Sequence, residues 1–361
     1  MEEKGKKGRM DYTLLLIVVL LVVIGLVILY STSAYNGQVK FHDSFYYLKK
    51  QAFATVLGTV LMLFVAGMDY HIWQRLAVFG YLAAVALSVA VMLFGREING
   101  SKRWLALGPF SFQPSEFAKV ALILFLADLV TKNVKTIGKM WTLCRIMFWI
   151  LPIVGLVGAS NLSTAIIILG IGVILIFVAS PKYAQFALMG IAGACFMGIF
   201  LALESYRLER LAIWRNPEKY EKGYQTLQGL YAIGSGGVFG VGIGNSVQKL
   251  GFVPEAQNDM IFSIICEELG LAGAGIIVFL FLLLIWRFFL IASGSRDLFG
   301  ALIATGAMAH MMIQVILNIA VVTNTIPNTG ITLPFISYGG TSVMFLLIEM
   351  GLVLSVSQVV D

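Results

Sequence analysis

The chain has 361 residues, 59% hydrophobic and 12% charged, with 25 Lys and Arg against 19 Asp and Glu for a formal charge of +6. Its mean hydropathy is +0.90, whereas a soluble domain carries about 25% charged residues, so the composition excludes a water-soluble globular enzyme and implies an integral membrane protein. In such a chain a basic excess reports first on orientation across the bilayer, and nucleic acid is not expected as a partner.

The N-terminal tail, residues 1–11, is basic and is expected to stay in the cytoplasm. Ten apolar runs follow, each near the ~20 residues that a helix needs to cross hydrocarbon. They cover residues 12–30, 51–67, 76–94, 115–130, 143–159, 162–179, 183–203, 271–286, 298–322 and 341–359. The first is too long for a removable signal peptide and lacks a small-residue cleavage site. The expected fold is therefore all-α: a single polytopic membrane domain over residues 1–361, with ten transmembrane helices and both termini cytoplasmic. Between spans 7 and 8, residues 204–258 are too long for a connector. They are expected to form an ordered cap on the extracytoplasmic face.

By this topology Lys and Arg divide evenly between the two sides, although short loops ordinarily show an inside excess. The outer segments hold Arg96, Lys102, Arg103, Arg207, Arg210, Arg215, Lys219, Lys222 and Lys249. A solvated basic loop and a site for an anionic ligand both account for them. The glycines of IGSGGVFGVGIG lack the spacing and the βαβ context of a dinucleotide fingerprint, and they fit close backbone approach. His42, His71 and His310 are isolated and read as interfacial polar residues. Cys144, Cys195 and Cys266 are scattered in apolar context, which suggests neither a disulfide framework nor a metal cluster.

Three stretches stand apart. In NGSKRWLALGPFSFQPSEFAKVALILF, Pro114 fits the first helical position, and Glu116 and Lys119, three apart, share a helix face. An ion pair near membrane depth tends to mark a site or its support. In GFVPEAQNDMIFSIICEELG, a short helix is expected over residues 259–269, ending at Gly270. Asp259 would stand at its mouth toward the outer loop, either as an N-cap or as a functional carboxylate. In NTIPNTGITLPFISYGGTS, Pro327, Gly330, Pro334, Gly339 and Gly340 break any helix. Broken backbone at membrane depth is tolerated only when buried in protein or lining a cavity, which favours a site-lining loop over an interspan turn.

At these stretches the sequence closely resembles the shape, elongation, division and sporulation (SEDS) family of bacterial membrane proteins. FQPSEFAK, GYQ, GSGG, PEAQNDMIFSIICEELG and TGITLPFISYGGTS carry the resemblance, which covers nearly the whole chain. The wording of PEAQND and IPNTGITLPFISYGGTS looks more like the division and sporulation members than the elongation members. One departure is Asn161, in ASNLSTA, where many members have an acidic residue, so no charge-dependent role attaches to that position.

The resemblance implies a peptidoglycan glycosyltransferase at the outer face of the bacterial cytoplasmic membrane, acting at the division septum. Its substrate would be lipid II, and undecaprenyl pyrophosphate would leave. Asp259 matches the family's catalytic carboxylate. Arg103, Arg210, Arg215, Lys249 and Lys102, with Gln257 and Ser337, are the expected substrate-binding residues, and Glu116 and Lys119 are expected to hold the cavity in shape. No organic cofactor is implied. A divalent cation bridging the pyrophosphate and Asp259 is compatible, without a dedicated cage. Expected partners are a class B penicillin-binding protein and other divisome proteins. The rival readings are a lipid II flippase, which needs charges reachable from both sides, and a non-catalytic septal scaffold.

Overall fold

The structure is a computed structural model that describes residues 8–98, 101–107, 110–187, 190 and 212–360. Helices dominate: α1 (Tyr12–Phe41), α2 (Tyr46–Gly67), α3 (His71–Phe94), α4 (Pro114–Asn133), α5 (Met140–Ser160), α6 (Leu162–Ala179), α7 (Tyr224–Gly236), α8 (Ile261–Gly294), α9 (Leu298–Val322) and α10 (Gly340–Ser357). Nine of the ten expected spans coincide with described helices. Most of the expected span over residues 183–203, namely 188–189 and 191–203, lies outside the described residues. One feature departs from the all-α reading. Three short strands, β1 (Arg96–Ile98), β2 (Ser101–Leu107) and β3 (Phe110–Phe112), form a small antiparallel sheet in the order β1-β2-β3. The run Arg96, Glu97, Ile98 that opens it is too short to show an alternating pattern.

The helices sort by how much of their circumference is greasy and covered. On α1, α2 and α3, Leu16, Phe53, Phe64, Phe79 and Phe94 are exposed, as lipid-facing side chains must be. In α4 the run Ala118–Ala127 is buried throughout, so this helix touches protein on every side. It packs against α3, α5, α6, α9 and α10. Eight described helices are long and apolar enough to cross a membrane, and α4 is not among them, because it also carries Glu116, Lys119, Asp128 and Lys132. The core of the bundle is thus its most polar span.

The break expected at Gly270 is present, inside α8, with φ 68° and ψ −172°. A broken helix frees main-chain groups that lipid cannot satisfy. Here another segment satisfies them. Leu271 N and Ala272 N, which would ordinarily bond Glu267 O and Glu268 O, donate instead to Gly237 O and Val238 O, each at 3.0 Å. The two vacated carbonyls accept from Val241 N and Gly242 N, each at 2.9 Å. Residues 237–242 are therefore spliced into the ladder of α8. That close approach requires glycine. A Cβ on Gly236 would lie 1.9 Å from Cys266 O, and one on Gly240, whose φ is +77°, would lie 2.2 Å from Glu268 O.

Glu267 and Glu268 fasten the same loop from the break. The Glu267 carboxylate accepts from the Ser246 hydroxyl and from Val247 N at 3.0 Å. Glu268 pairs with Lys249 Nζ at 2.6 Å and accepts from the Ser31 hydroxyl at 2.7 Å. Both carboxylates are buried, and neither faces lipid unpaired.

Gly236→Ala is accordingly expected to lower the melting temperature sharply and reduce the yield of folded protein in detergent. Gly234→Ala, an exposed helical position with nothing within 4 Å of the new Cβ, should leave stability unchanged or raise it by up to about 1 kcal/mol. Thermal unfolding of the two purified variants checks the difference; equal stability would remove the splice as a constraint.

Candidate active site

The three stretches singled out in the sequence meet at one place. Asp259 lies just before α8, which begins at Ile261 with Met260 at the N-cap position and no side-chain cap. Asp259 stands one residue before that position. Its carboxylate is partly buried and accepts from Gln225 Nε2, on α7, at 3.4 Å. Gln225 Oε1 in turn accepts from Asn328 Nδ2 at 3.2 Å. Gly330, with φ +68°, brings main chain so near that a Cβ there would lie 3.8 Å from Asp259 Oδ2. Burial is the main influence on Asp259, with the nearby Glu255 carboxylate acting in the same direction; together they push its pKa up to about 6. Glu255 itself holds a φ of +52°, a conformation that non-glycine residues seldom adopt. Its Oε2 accepts from Asn258 Nδ2 at 2.6 Å.

The loop over residues 324–339 is tied to this segment at both ends. Asn318, buried on α9, donates from Nδ2 to Asp259 O at 2.9 Å and to Ile331 O at 2.7 Å. The Ser337 hydroxyl donates to Asn258 O at 2.6 Å and accepts from Leu333 N at 2.8 Å. Tyr338 N donates to Gln257 O at 2.9 Å. At the start of the loop, Trp214 Nε1 donates to Asn324 O at 2.9 Å. Ser163, on α6, donates to Thr329 O at 2.8 Å. The loop's partners come from α6, α7, α9, Trp214 and the segment that bears Asp259.

The expected ligand-binding residues separate into two groups. Arg103 and Lys102 sit on β2, with Lys102 exposed. Arg103 Nε donates to Ser160 O at 3.1 Å, and Arg103 lines a small cavity with Ser88, Ser115, Ser160 and Asn161. Asn161 uses its side-chain oxygen to cap α6 through Thr164 N, a role that needs no charge. Arg215 is exposed, next to the anchored Trp214, while Arg210 lies outside the described residues. Lys249, Gln257 and Ser337 differ from the expectation. All three are buried. Lys249 is committed to Glu268 and Ser31, Gln257 accepts from Asn36 Nδ2 at 3.1 Å, and Ser337 joins the two loops. They build the site's walls and do not present open donors at its mouth.

Below the site, Lys119 Nζ lies 3.0 Å from Glu116 Oε2 in a buried ion pair. The sequence reading missed what this pair joins. Lys119 Nζ donates to Gln314 Oε1 at 3.3 Å, and His310 touches both Gln314 and Glu349. His310 is thus fully engaged and not an interfacial residue. The recurrence of His310, Gln314 and Asn318 every four positions was the available signal. Among the described residues, no group of three or more His, Cys, Asp or Glu side chains could hold a metal ion.

Residues 12–361 match the family of cell cycle proteins comprising FtsW, RodA and SpoVE. The chain belongs to this family. It is 40% identical to the stage V sporulation protein E of Bacillus subtilis (strain 168), over 98% of each chain. It is 35% identical to the probable peptidoglycan glycosyltransferase FtsW of Trichlorobacter lovleyi, over 96% of this chain and 93% of the relative. Among solved structures, a chain of a peptidoglycan synthase complex that coordinates polymerization and crosslinking superposes with a TM-score of 0.82 at 30% identity. That match covers 96% of this chain and 97% of the other. The rod shape determining protein RodA of Thermus thermophilus superposes with a TM-score of 0.72 at 28% identity, over 96% of each chain.

Removing one member of the Glu116–Lys119 pair leaves a buried charge uncompensated, at a cost of about 3–5 kcal/mol. Glu116→Ala and Lys119→Ala should each lower the melting temperature and impair activity, and the double variant should lose less than the sum. A double-mutant cycle on thermal stability reads this directly; strict additivity would show that the two side chains do not interact.

Proposed function

We propose that this chain is a peptidoglycan glycosyltransferase that polymerises lipid II at the outer face of the bacterial cytoplasmic membrane. The observation that carries the reading is the setting of Asp259: a carboxylate with a pKa near 6, held between the outer cap and a broken loop. Relatives across nearly the full chain length are named for this activity.

A sugar hydroxyl is a poor nucleophile and needs a positioned base. Asp259 takes the proton of the lipid II 4-hydroxyl as that oxygen forms a bond to C1 of the lipid-linked glycan. The bond from C1 to the pyrophosphate breaks, and undecaprenyl pyrophosphate leaves with the electron pair. A base with a pKa near 6 is mostly ionised at neutral pH and strong enough to accept a proton in flight. Arg103, Lys102 and Arg215, with Arg210, stabilise the charge that develops on the leaving group. A divalent cation would be brought in on the pyrophosphate, with Asp259 as a protein ligand; among the described residues no group of three His, Cys, Asp or Glu side chains could hold one. A class B penicillin-binding protein is the proposed partner, in line with the complex whose chain superposes best among those described above. Both termini face the cytoplasm in this reading, the cap faces outward, and the septum is the site of action.

Asp259→Asn keeps size and most hydrogen bonding but cannot accept the proton. It should fold and insert, yet polymerise lipid II at least ~10²-fold more slowly. Wild-type activity should fall as pH drops through about 6. Stability has the opposite sign. The folded-state pKa lies above the ordinary 3.8, so the folded protein binds the proton more tightly, and stability declines as pH rises from about 4 to 6. Asp259→Asn should therefore melt higher than wild type at pH 7. Gel-resolved glycan products, measured alongside thermal unfolding across pH, test both signs; wild-type polymerisation by Asp259→Asn would remove Asp259 from the mechanism. Lipid II movement across vesicles without polymer would favour a flippase instead.

A further inference from the structure

His310, Gln314 and Asn318 stand a turn apart on one face of α9, and all three are buried. Gln314 Nε2 donates to Thr332 O at 3.0 Å. A main-chain carbonyl only accepts, so that contact fixes which way the amide points. Its Oε1 then faces the other side, where Lys119 Nζ lies at 3.3 Å and His310 Nε2 at 2.9 Å. An amide oxygen also only accepts, so His310 Nε2 must carry a hydrogen. The second ring nitrogen, Nδ1, lies 2.8 Å from Glu349 Oε2. One proton occupies that contact whichever group holds it. The His310–Glu349 unit is consequently neutral as a whole, and so is Glu116–Lys119, which is the state that burial in a bilayer favours.

We propose that His310 is a positioning residue for glycosyl transfer: with its ring oriented by Glu349, it presents Nε2–H to Gln314 and so keeps that amide turned onto Thr332 of the loop beside Asp259. This rests on Asp259 being the transfer base. The consequence follows along the chain of contacts. Thr332 is followed by Leu333, whose N–H bonds Ser337 Oγ, and Ser337 bonds Asn258 O, next to Asp259. Two residues before Thr332, Gly330 supplies the backbone that lies against the Asp259 carboxylate. Without the His310 donor, the Oε1 side of the Gln314 amide keeps only the longer Lys119 contact, so the amide is held less firmly against the Thr332 carbonyl, and a rotated amide would aim its oxygen at that carbonyl. Of the two α9 side chains that hold residues 331–332, Asn318 then keeps its bond to Ile331 O while the bond at Thr332 weakens.

The test uses the full-length protein with its penicillin-binding partner, lipid II as substrate, and four variants. His310→Leu removes the donor, and His310→Gln restores one near the Nε2 position. Glu349→Leu frees the ring, and Glu349→Gln keeps a side chain able to donate to Nδ1, which holds the hydrogen on Nε2. His310→Leu should lower kcat roughly 10- to 100-fold with little change in KM, and should speed amide hydrogen exchange in residues 329–339. His310→Gln should recover most of kcat and of the protection. Glu349→Gln should outperform Glu349→Leu on both readouts. Wild-type kcat and exchange in His310→Leu would overturn the proposal. So would losses that follow the melting temperature alone, with no rescue by either glutamine variant. If the wild-type complex makes no polymer, the glycosyltransferase reading fails, and hydrogen exchange still decides whether His310 sets the loop.

Discussion

Everything near Asp259 depends on one constraint: main-chain polar groups at membrane depth must find partners. The break at Gly270 creates four unpaired groups, and the segment Gly237–Gly242 supplies all four partners. That splice fixes the cap to the membrane span and sets where α8 restarts toward Asp259. The carboxylates of Glu267 and Glu268 then lock the flanking residues 246–249. A flexible connector would leave Asp259 on a loose tether; here the segment that bears it is held from below by a repaired helix and from the side by Asn318.

The second level of order comes from α4 and α9. Charged groups inside a bilayer are costly unless paired, and this chain gathers several of them around a single amide. Gln314 accepts from Lys119 and from His310 and donates to the loop. Its position between two neutral pairs lets polar side chains reach the middle of the bundle without a net charge there. Stability and positioning are thus served by the same contacts, so a substitution in this cluster reports on both, and only rescue by a chemically matched residue separates them.

Much of this was legible in the sequence. Apolar run lengths located the spans, Pro114 marked the start of α4, and the glycine and proline pattern exposed the broken loop. Asp259, Glu116 and Lys119 stood out because charge is rare in such a chain. What stayed hidden depended on distant pairing. Nothing local distinguishes Lys249 as the partner of Glu268 from an open surface cation, and Gln257 and Ser337 look equally suited to a ligand or to a neighbouring loop. The glycines of residues 236–244 signalled close approach, but not that their counterpart was the break at Gly270. His310 looked isolated because Glu349 lies on another helix, 39 positions away.

The polarity of α4 also bears on how the protein is made. A charged side chain at the centre of a helix entering the bilayer costs ~2.5–3.5 kcal/mol, and α4 carries four charged residues along its length. On its own it is a poor candidate for release into lipid from the insertion machinery. Its charges pair within the helix, Glu116 with Lys119 and Asp128 with Lys132, and Asp128 also meets Gln74 on α3, but Lys119 gains its further partner only from Gln314 on α9, which is translated nearly two hundred residues later. The helix at the centre of the finished bundle thus depends for its enclosure first on α3 and then on the C-terminal third of the chain, so the order of synthesis leaves it partly uncovered until α9 is made.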